Sequence, residues 1–186
     1  MPDHKRPAKK KQDELLALTN TPEGKQALTD WANSHLKDVD QASSQFYMHY
    51  GQAMAGWSTL ESALSQWFSK LTRMPAKRAT RIFYSARSFS GRADMLEAAL
   101  SVAKVSKETR AFLKTTIKVA RTYSSFRNRL AHGEANIHVN LEKERSFEML
   151  ITEPKYMERR TPEYGISIAD MQIADRAFRV LAGDLV

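Results

Sequence analysis

Three side chains near the end of one amphipathic stretch have types and spacing suited to chemistry. In Ser124-Ser125-Phe126-Arg127-Asn128-Arg129-Leu130-Ala131-His132-Gly133, Arg127 and Asn128 are followed by His132 in an R-N-x3-H pattern. An imidazole titrating near neutrality can take or give a proton. A guanidinium is a permanent cation that can stabilise negative charge developing in a transition state, and a carboxamide can orient either group. The same residues also suit structural roles: Arg127 in a salt bridge on a helix flank, Asn128 capping a kink, His132 as a cation favoured at the C-terminus of its own helix. Other chemistries are excluded. The chain has no Cys, which removes disulfides, thiol catalysis, iron–sulfur clusters and Cys-based zinc sites. It has no Gly-rich phosphate loop, HExxH, EF-hand loop or GxSxG. His35, His49, His132 and His138 lack ligand-like helical spacing, so no metal and no cofactor is expected.

The elements positioning these residues carry an uneven charge. The net charge is +8 over 186 residues. From Ser62 to Ala93 there is no Asp or Glu, against Lys70, Arg73, Lys77, Arg78, Arg81, Arg87 and Arg92. From Thr109 to Gly133 there is again no acid, against Arg110, Lys114, Lys118, Arg121, Arg127 and Arg129. Those stretches hold more than the whole surplus, so the remainder is net acidic. Segregation of this kind marks an anionic partner. RNA, DNA or an acidic protein would each satisfy it, and a solvated basic face is the plain alternative; two such stretches make nucleic acid the expectation. No apolar run approaches a membrane span, so no membrane partner is expected. The basic N-terminus runs into Lys11-Gln12-Asp13-Glu14 rather than an apolar segment, unlike a secretory signal. A soluble, cytoplasmic protein is expected.

The periodicity predicts a disordered basic tail over 1–12 and a single domain over 13–186, with a helical turn or two over Asp13–Leu18. Thr21-Pro22-Glu23 opens a helix to about Leu36, Thr as N-cap and Pro at the first helical position, with Leu28, Trp31 and His35 inward. Over 40–72, Phe46, Tyr50, Ala53, Trp57, Leu60, Leu64, Trp67 and Leu71 recur at alternating spacings of four and three, the seam of a long helix packed nearly antiparallel against others. Pro75 opens a short helix to about Ala86. Ser90 or Gly91 starts another, Asp94 to about Val105, burying Met95, Leu96, Ala99 and Leu100. Ser106-Lys107-Glu108 opens the helix that carries Arg127 and His132. Its predicted core stripe is Phe112, Thr116, Val119, Tyr123, Phe126 and Leu130, its basic face Arg110, Lys114, Lys118, Arg121, Arg129 and His132, and its stop Gly133. The period then changes to two: Ile137, Val139 and Leu141, then Phe147, Met149 and Ile151 after Lys143-Glu144-Arg145, predict a β-hairpin near 135–152. It reads as an appendage dispensable for chemistry. A third short strand is expected over Tyr164–Ser167, and a helix near 168–183, capped by Ser167 with Asp170, with Met171, Ala174, Phe178 and Leu181 inward.

The segment Arg127-Asn128-Arg129-Leu130-Ala131-His132-Gly133, late in a core helix, resembles the signature of the HEPN superfamily, an Arg followed four to six residues later by His, often with a polar residue after the Arg. Trp57-Ser58-Thr59-Leu60-Glu61-Ser62-Ala63-Leu64 is similar to a Trp–Leu–Glu–Leu register of such bundles. The resemblance covers roughly residues 40 to 135 and leaves 1–38 and the hairpin unexplained. It implies a mainly α, HEPN-like antiparallel helical bundle, here with an appended C-terminal β-hairpin, and a metal-independent endoribonuclease, usually dimeric and often a toxin or defence effector. The alternative it also implies is a non-catalytic module that binds RNA or a protein. In the enzyme, the RNA's own 2′-hydroxyl attacks. His132 would act as general acid/base, Arg127 would stabilise the phosphorane and Asn128 would position a phosphate oxygen or the His ring. Arg110, Lys114, Lys118, Arg121, Arg129, Lys77, Arg78 and Arg81 would bind RNA. Toxins of this kind pair with antitoxin proteins, and those modified on tyrosine carry Tyr two residues after the His. Here Gly133 and Glu134 follow, which disfavours that mode. Glu61 reads either as a support for Arg127 or as a solvated flank of the seam. Residues five apart on a regular helix diverge by about 140°, so Arg127 and His132 are expected to diverge unless the helix end unwinds; a homodimer offers another solution and is the expectation, its two copies of His132 serving as base and acid.

Overall fold

The computed structural model describes residues 21–140, 146–152 and 165–183. The basic tail over 1–12, the turns at 13–18 and the hairpin tip at 141–145 lie outside the described residues, as do the side chains of Leu28 and Trp31. The described elements are α1 (Pro22–Thr72), α2 (Ala76–Phe83), α3 (Phe89–Val102), α4 (Lys107–His132), β1 (Glu134–Asn140), β2 (Ser146–Thr152) and α5 (Ile168–Gly183). The chain is therefore mainly α, a helical bundle with an antiparallel β-hairpin toward its C-terminus. No described helix is long and apolar enough to cross a membrane.

The chain forms two compact units, residues 1–43 and 44–186. In the first, Thr21 caps the start of α1 as expected: its Oγ1 accepts from the Gly24 amide at 3.0 Å. The break expected near Leu36 is absent, and one helix runs from Pro22 to Thr72. Lys37-Asp38-Val39-Asp40 contains neither Pro nor Gly, so nothing there stops propagation, which adds one hydrogen bond per residue fixed.

In the second unit the seam of α1 is realised. Phe46, Ala53, Trp57, Leu60, Leu64 and Leu71 are buried, while Tyr50 and Trp67 pack from partly exposed positions. The helix ends where Arg73 takes a left-handed φ of 54°, and Pro75 serves as N-cap of α2. Helix α2 ends at Phe83, three residues before the expected stop. Helix α3 starts earlier than expected because Ser88, not Ser90, is its cap, with Oγ accepting from the Gly91 amide at 3.1 Å. Ser106 caps α4 in the same way through the Thr109 amide.

The core stripe of α4 is rotated from the expected one. Leu113, Thr116, Ile117, Ala120 and Leu130 are the buried residues, whereas Phe112, Tyr123 and Phe126 pack at the margin. Aromatic weight drew the predicted stripe to one side. The smaller residues lie at the centre, and the large rings cover its edges.

Two apolar clusters hold this unit. The larger joins Trp57, Leu60, Leu64 and Phe68 of α1 to Phe83, Leu96, Leu100, Leu113, Ile117 and Phe178. The smaller joins Phe46, Ala53 and Leu130 to Met149, Ile151, Ile166 and Met171. Strand β2 of the hairpin thus contributes Met149 and Ile151 to the core. Strands β1 and β2 pair antiparallel, with Ala135 opposite Ile151 and Ile137 opposite Met149. The expected third strand begins at residue 164, outside the described residues; its described part, 165–167, holds one bridge, in which Ile151 and Ile166 exchange both backbone hydrogen bonds at 3.1 and 2.9 Å. Helix α5 has the expected reciprocal cap: Asp170 Oδ2 accepts from the Ser167 amide at 2.9 Å and Ser167 Oγ from the Asp170 amide at 3.3 Å.

Gly133 does follow the last residue of α4, though not in the left-handed conformation of a helix-stop glycine. Its φ and ψ are −81° and 161°, ordinary extended backbone. What requires glycine is space. A Cβ there would lie 2.2 Å from Ile151 Cγ2 and 2.7 Å from the Arg129 carbonyl oxygen. The closeness of β2 thereby sets the end of the helix that bears His132. Gly133→Ala is expected to lower stability by about 1–3 kcal/mol, the usual cost of overpacking, measured as a drop in the urea midpoint; an unchanged midpoint would show that β2 yields freely.

Candidate functional site

A cavity of about 320 Å³ is lined by Trp57 and Glu61 of α1, by Arg87 and Ser88, by Phe89 and Arg92 of α3, and by Arg127, Asn128 and His132 of α4. All nine residues belong to the second unit. The expected trio thus lines one cavity of one chain.

Within the trio, Arg127 Nη1 donates to Asn128 Oδ1 at 3.3 Å. Arg127 Nε is buried with no hydrogen-bond partner among the described residues. His132 is exposed, and no described residue hydrogen-bonds its ring. The site therefore has an oriented guanidinium and a free imidazole.

The rest of the lining comes from residues that sequence reasoning did not assemble. Arg92 is held on three sides. Its Nη1 forms a salt bridge with Glu61 Oε1, its Nε donates to the Ala86 carbonyl at 3.1 Å, and its guanidinium lies 5.1 Å from the Tyr84 ring centroid. Both partners of the salt bridge are largely buried, Arg92 at 16% and Glu61 at 12% side-chain exposure. Glu61 is thus neither a solvated flank nor a hydrogen-bond partner of Arg127; it neutralises Arg92 beside it. Trp57 is buried, with its ring 4.8 Å from Phe89 and 5.3 Å from Phe178. Glu61 precedes the first acid-free stretch and Arg92 nearly ends it, a visible clue, but only the fold pairs them.

The residues expected to bind RNA divide into two groups. Arg110 donates to the carbonyls of Leu100 and of Ala103, the latter at 2.8 Å, satisfying the C-terminal end of α3. Arg121 forms salt bridges with Asp94 at 2.6 Å and Glu97 at 3.0 Å. The hydrogen bond that Arg121 donates to Asp94 raises the pKa of Arg121 above its ordinary value, and burial only partly opposes this. Asp94 lies one residue beyond the first acid-free stretch, so the charge count did not reveal this pairing. Arg129 is half-buried on α4. Lys77, Arg78 and Arg81 of α2 and Lys114 and Lys118 of α4 are exposed.

Among the described residues no group of three His, Asp or Glu side chains is placed to hold a metal ion. The chain matches no protein-family model, no curated protein and no solved structure.

Proposed function

We propose that this protein is a HEPN-like ribonuclease that cleaves RNA by attack of the 2′-hydroxyl, without a metal ion as reactant. The observation that carries this reading is that Arg127, Asn128 and His132 line one cavity rich in guanidinium groups. The reaction removes a proton from the attacking oxygen and delivers one to the leaving 5′-oxygen. Of the lining side chains, imidazole is the type that titrates near neutrality, so His132 serves as base or acid. Arg127 faces the phosphorane as a fixed cation. Asn128, which accepts a hydrogen bond from Arg127, holds that guanidinium in place. A two-fold dimer, implied by the resemblance, would add a second His132 for the other proton.

The test is incubation of RNA with the protein in EDTA. Cleavage to 2′,3′-cyclic phosphate and 5′-hydroxyl ends, with 2′-O-methyl RNA left intact, is the expected result. The exposed bases of α2 and α4 also favour a second reading, a non-catalytic HEPN-like module that binds RNA. Salt-sensitive binding with no cleavage would select it.

The exposed bases of α2 are expected to supply RNA affinity independent of sequence. Each phosphate contact adds close to one unit to the slope of log K against log salt. Removing Lys77, Arg78 and Arg81 together is expected to reduce that slope by about two to three, and Arg121→Ala to leave it nearly unchanged, because Arg121 is already paired. Equal slopes for wild type and triple variant in a fluorescence-anisotropy salt series would place RNA elsewhere.

A further inference from the structure

We propose that Arg87 is the second guanidinium of the site and that, with Arg127, it grips the phosphate at which RNA is cleaved. This rests on the reading that the cavity receives RNA.

Three guanidinium groups and one carboxylate line the cavity. Arg92 and Glu61 cancel each other in a largely buried pair. Arg87 and Arg127 are left as uncompensated cations, matching the two negative charges of a phosphorane better than the single charge of a phosphodiester. Arg87 is exposed and has no hydrogen-bond or ion-pair partner among the described residues.

Its backbone, by contrast, is held on both sides. Before it, Ser85 Oγ donates to the Ile82 carbonyl at 2.6 Å, and the Ala86 carbonyl accepts from Arg92. After it, Ser88 caps α3 and the Phe89 ring packs on buried Trp57. A cation carried on a pinned segment loses little freedom on binding, which is how preorganised groups gain affinity. The Glu61–Arg92 pair is part of that pinning, which accounts for its place in the cavity wall.

The experiment measures binding of a short 2′-O-methyl oligonucleotide, which cannot supply the nucleophile, to the full chain and to Arg87→Ala, Arg87→Lys, Arg127→Ala and the Arg87→Ala/Arg127→Ala double variant. Arg179→Ala, on the exposed face of α5, serves as the charge-matched control. Arg87→Ala is expected to weaken binding by about 10- to 100-fold, the range for hydrogen bonds to a charged group. Arg87→Lys should recover part of the loss and Arg179→Ala should stay within about twofold. Because both arginines hold one phosphate, the double variant should lose less than the product of the single losses. An Arg87→Ala effect no larger than that of Arg179→Ala, or fully multiplicative losses, would overturn the proposal. If RNA is cleaved normally by Arg87→Ala, Arg87 is excluded while the nuclease stands. If the binding pattern holds but no RNA is cut, the phosphate grip stands and the nuclease reading fails.

Discussion

His132→Ala is expected to reduce RNA cleavage in EDTA by about 10²- to 10⁴-fold, the range contributed by a positioned acid or base, while leaving RNA binding within a fewfold of wild type. Binding and catalysis should separate because, in the proposed mechanism, arginines and lysines would supply the affinity whereas His132 would act on a proton in the transition state. Fold should be preserved. The imidazole is exposed, no described residue hydrogen-bonds it, and the helix end is held instead by Leu130 in the smaller core cluster and by Gly133 against Ile151. Arg127→Ala should also lower cleavage, by about 10²- to 10³-fold, as expected for losing one group that stabilises transition-state charge. Unlike His132→Ala, it should also weaken binding of the uncleavable oligonucleotide. Cleavage rates for both variants, followed at saturating enzyme, provide the check. A His132→Ala protein that cuts RNA within twofold of wild type would remove His132 from the chemistry.

Local signals carried much of the architecture. Alternating spacings of four and three located the buried seam of α1, the change to period two located the hairpin, and Ser106 and Ser167 marked helix starts because their hydroxyls cap free amides. The trio of the site was legible for the same reason: it lies within six consecutive residues of one helix. The other half of the cavity was not. Arg87 and Arg92 come from a connection and a helix start about 40 residues upstream, and Glu61 from another helix. Their meeting depends on how α1, α3 and α4 pack. The length of α1 was missed because a polar stretch without Pro or Gly looks like a boundary by hydropathy but does not break a helix. The contribution of β2 to the core was not legible because alternation tells which face of a strand is apolar and not what covers it. In β2, Met149, Leu150 and Ile151 are all buried. Leu150, on the opposite face, packs where a Cβ on Gly165 would lie only 2.7 Å from its side chain. The basic face of α4 was overcounted because Arg110 and Arg121 have their partners on α3, at distances in sequence that charge counting does not see.

Glu61→Ala is expected to have the largest effect on stability of any single change at the cavity, about 3–5 kcal/mol. It leaves Arg92 largely buried with its charge uncompensated, and guanidinium cannot escape by losing its proton. With a denaturant slope of 1–3 kcal/mol/M in urea for small proteins, the midpoint should fall by roughly 2 M. Replacing both members by apolar residues of similar size, Glu61→Leu with Arg92→Met, should restore most of that stability, because a buried ion pair recovers in Coulomb attraction little more than its desolvation costs. The stabilised double variant would still lack the hydrogen bond from Arg92 to the Ala86 carbonyl and the guanidinium contact with the Tyr84 ring. The segment that carries Arg87 would then be less firmly placed, and RNA cleavage should remain below wild type even though the fold is recovered. Urea midpoints and cleavage rates on the same three proteins decide the matter. Recovery of stability without recovery of activity would assign the pair to positioning. A single variant that loses less than about 1 kcal/mol, the usual worth of a surface salt bridge, would mean that water reaches the pair and that its burial does not order the cavity wall.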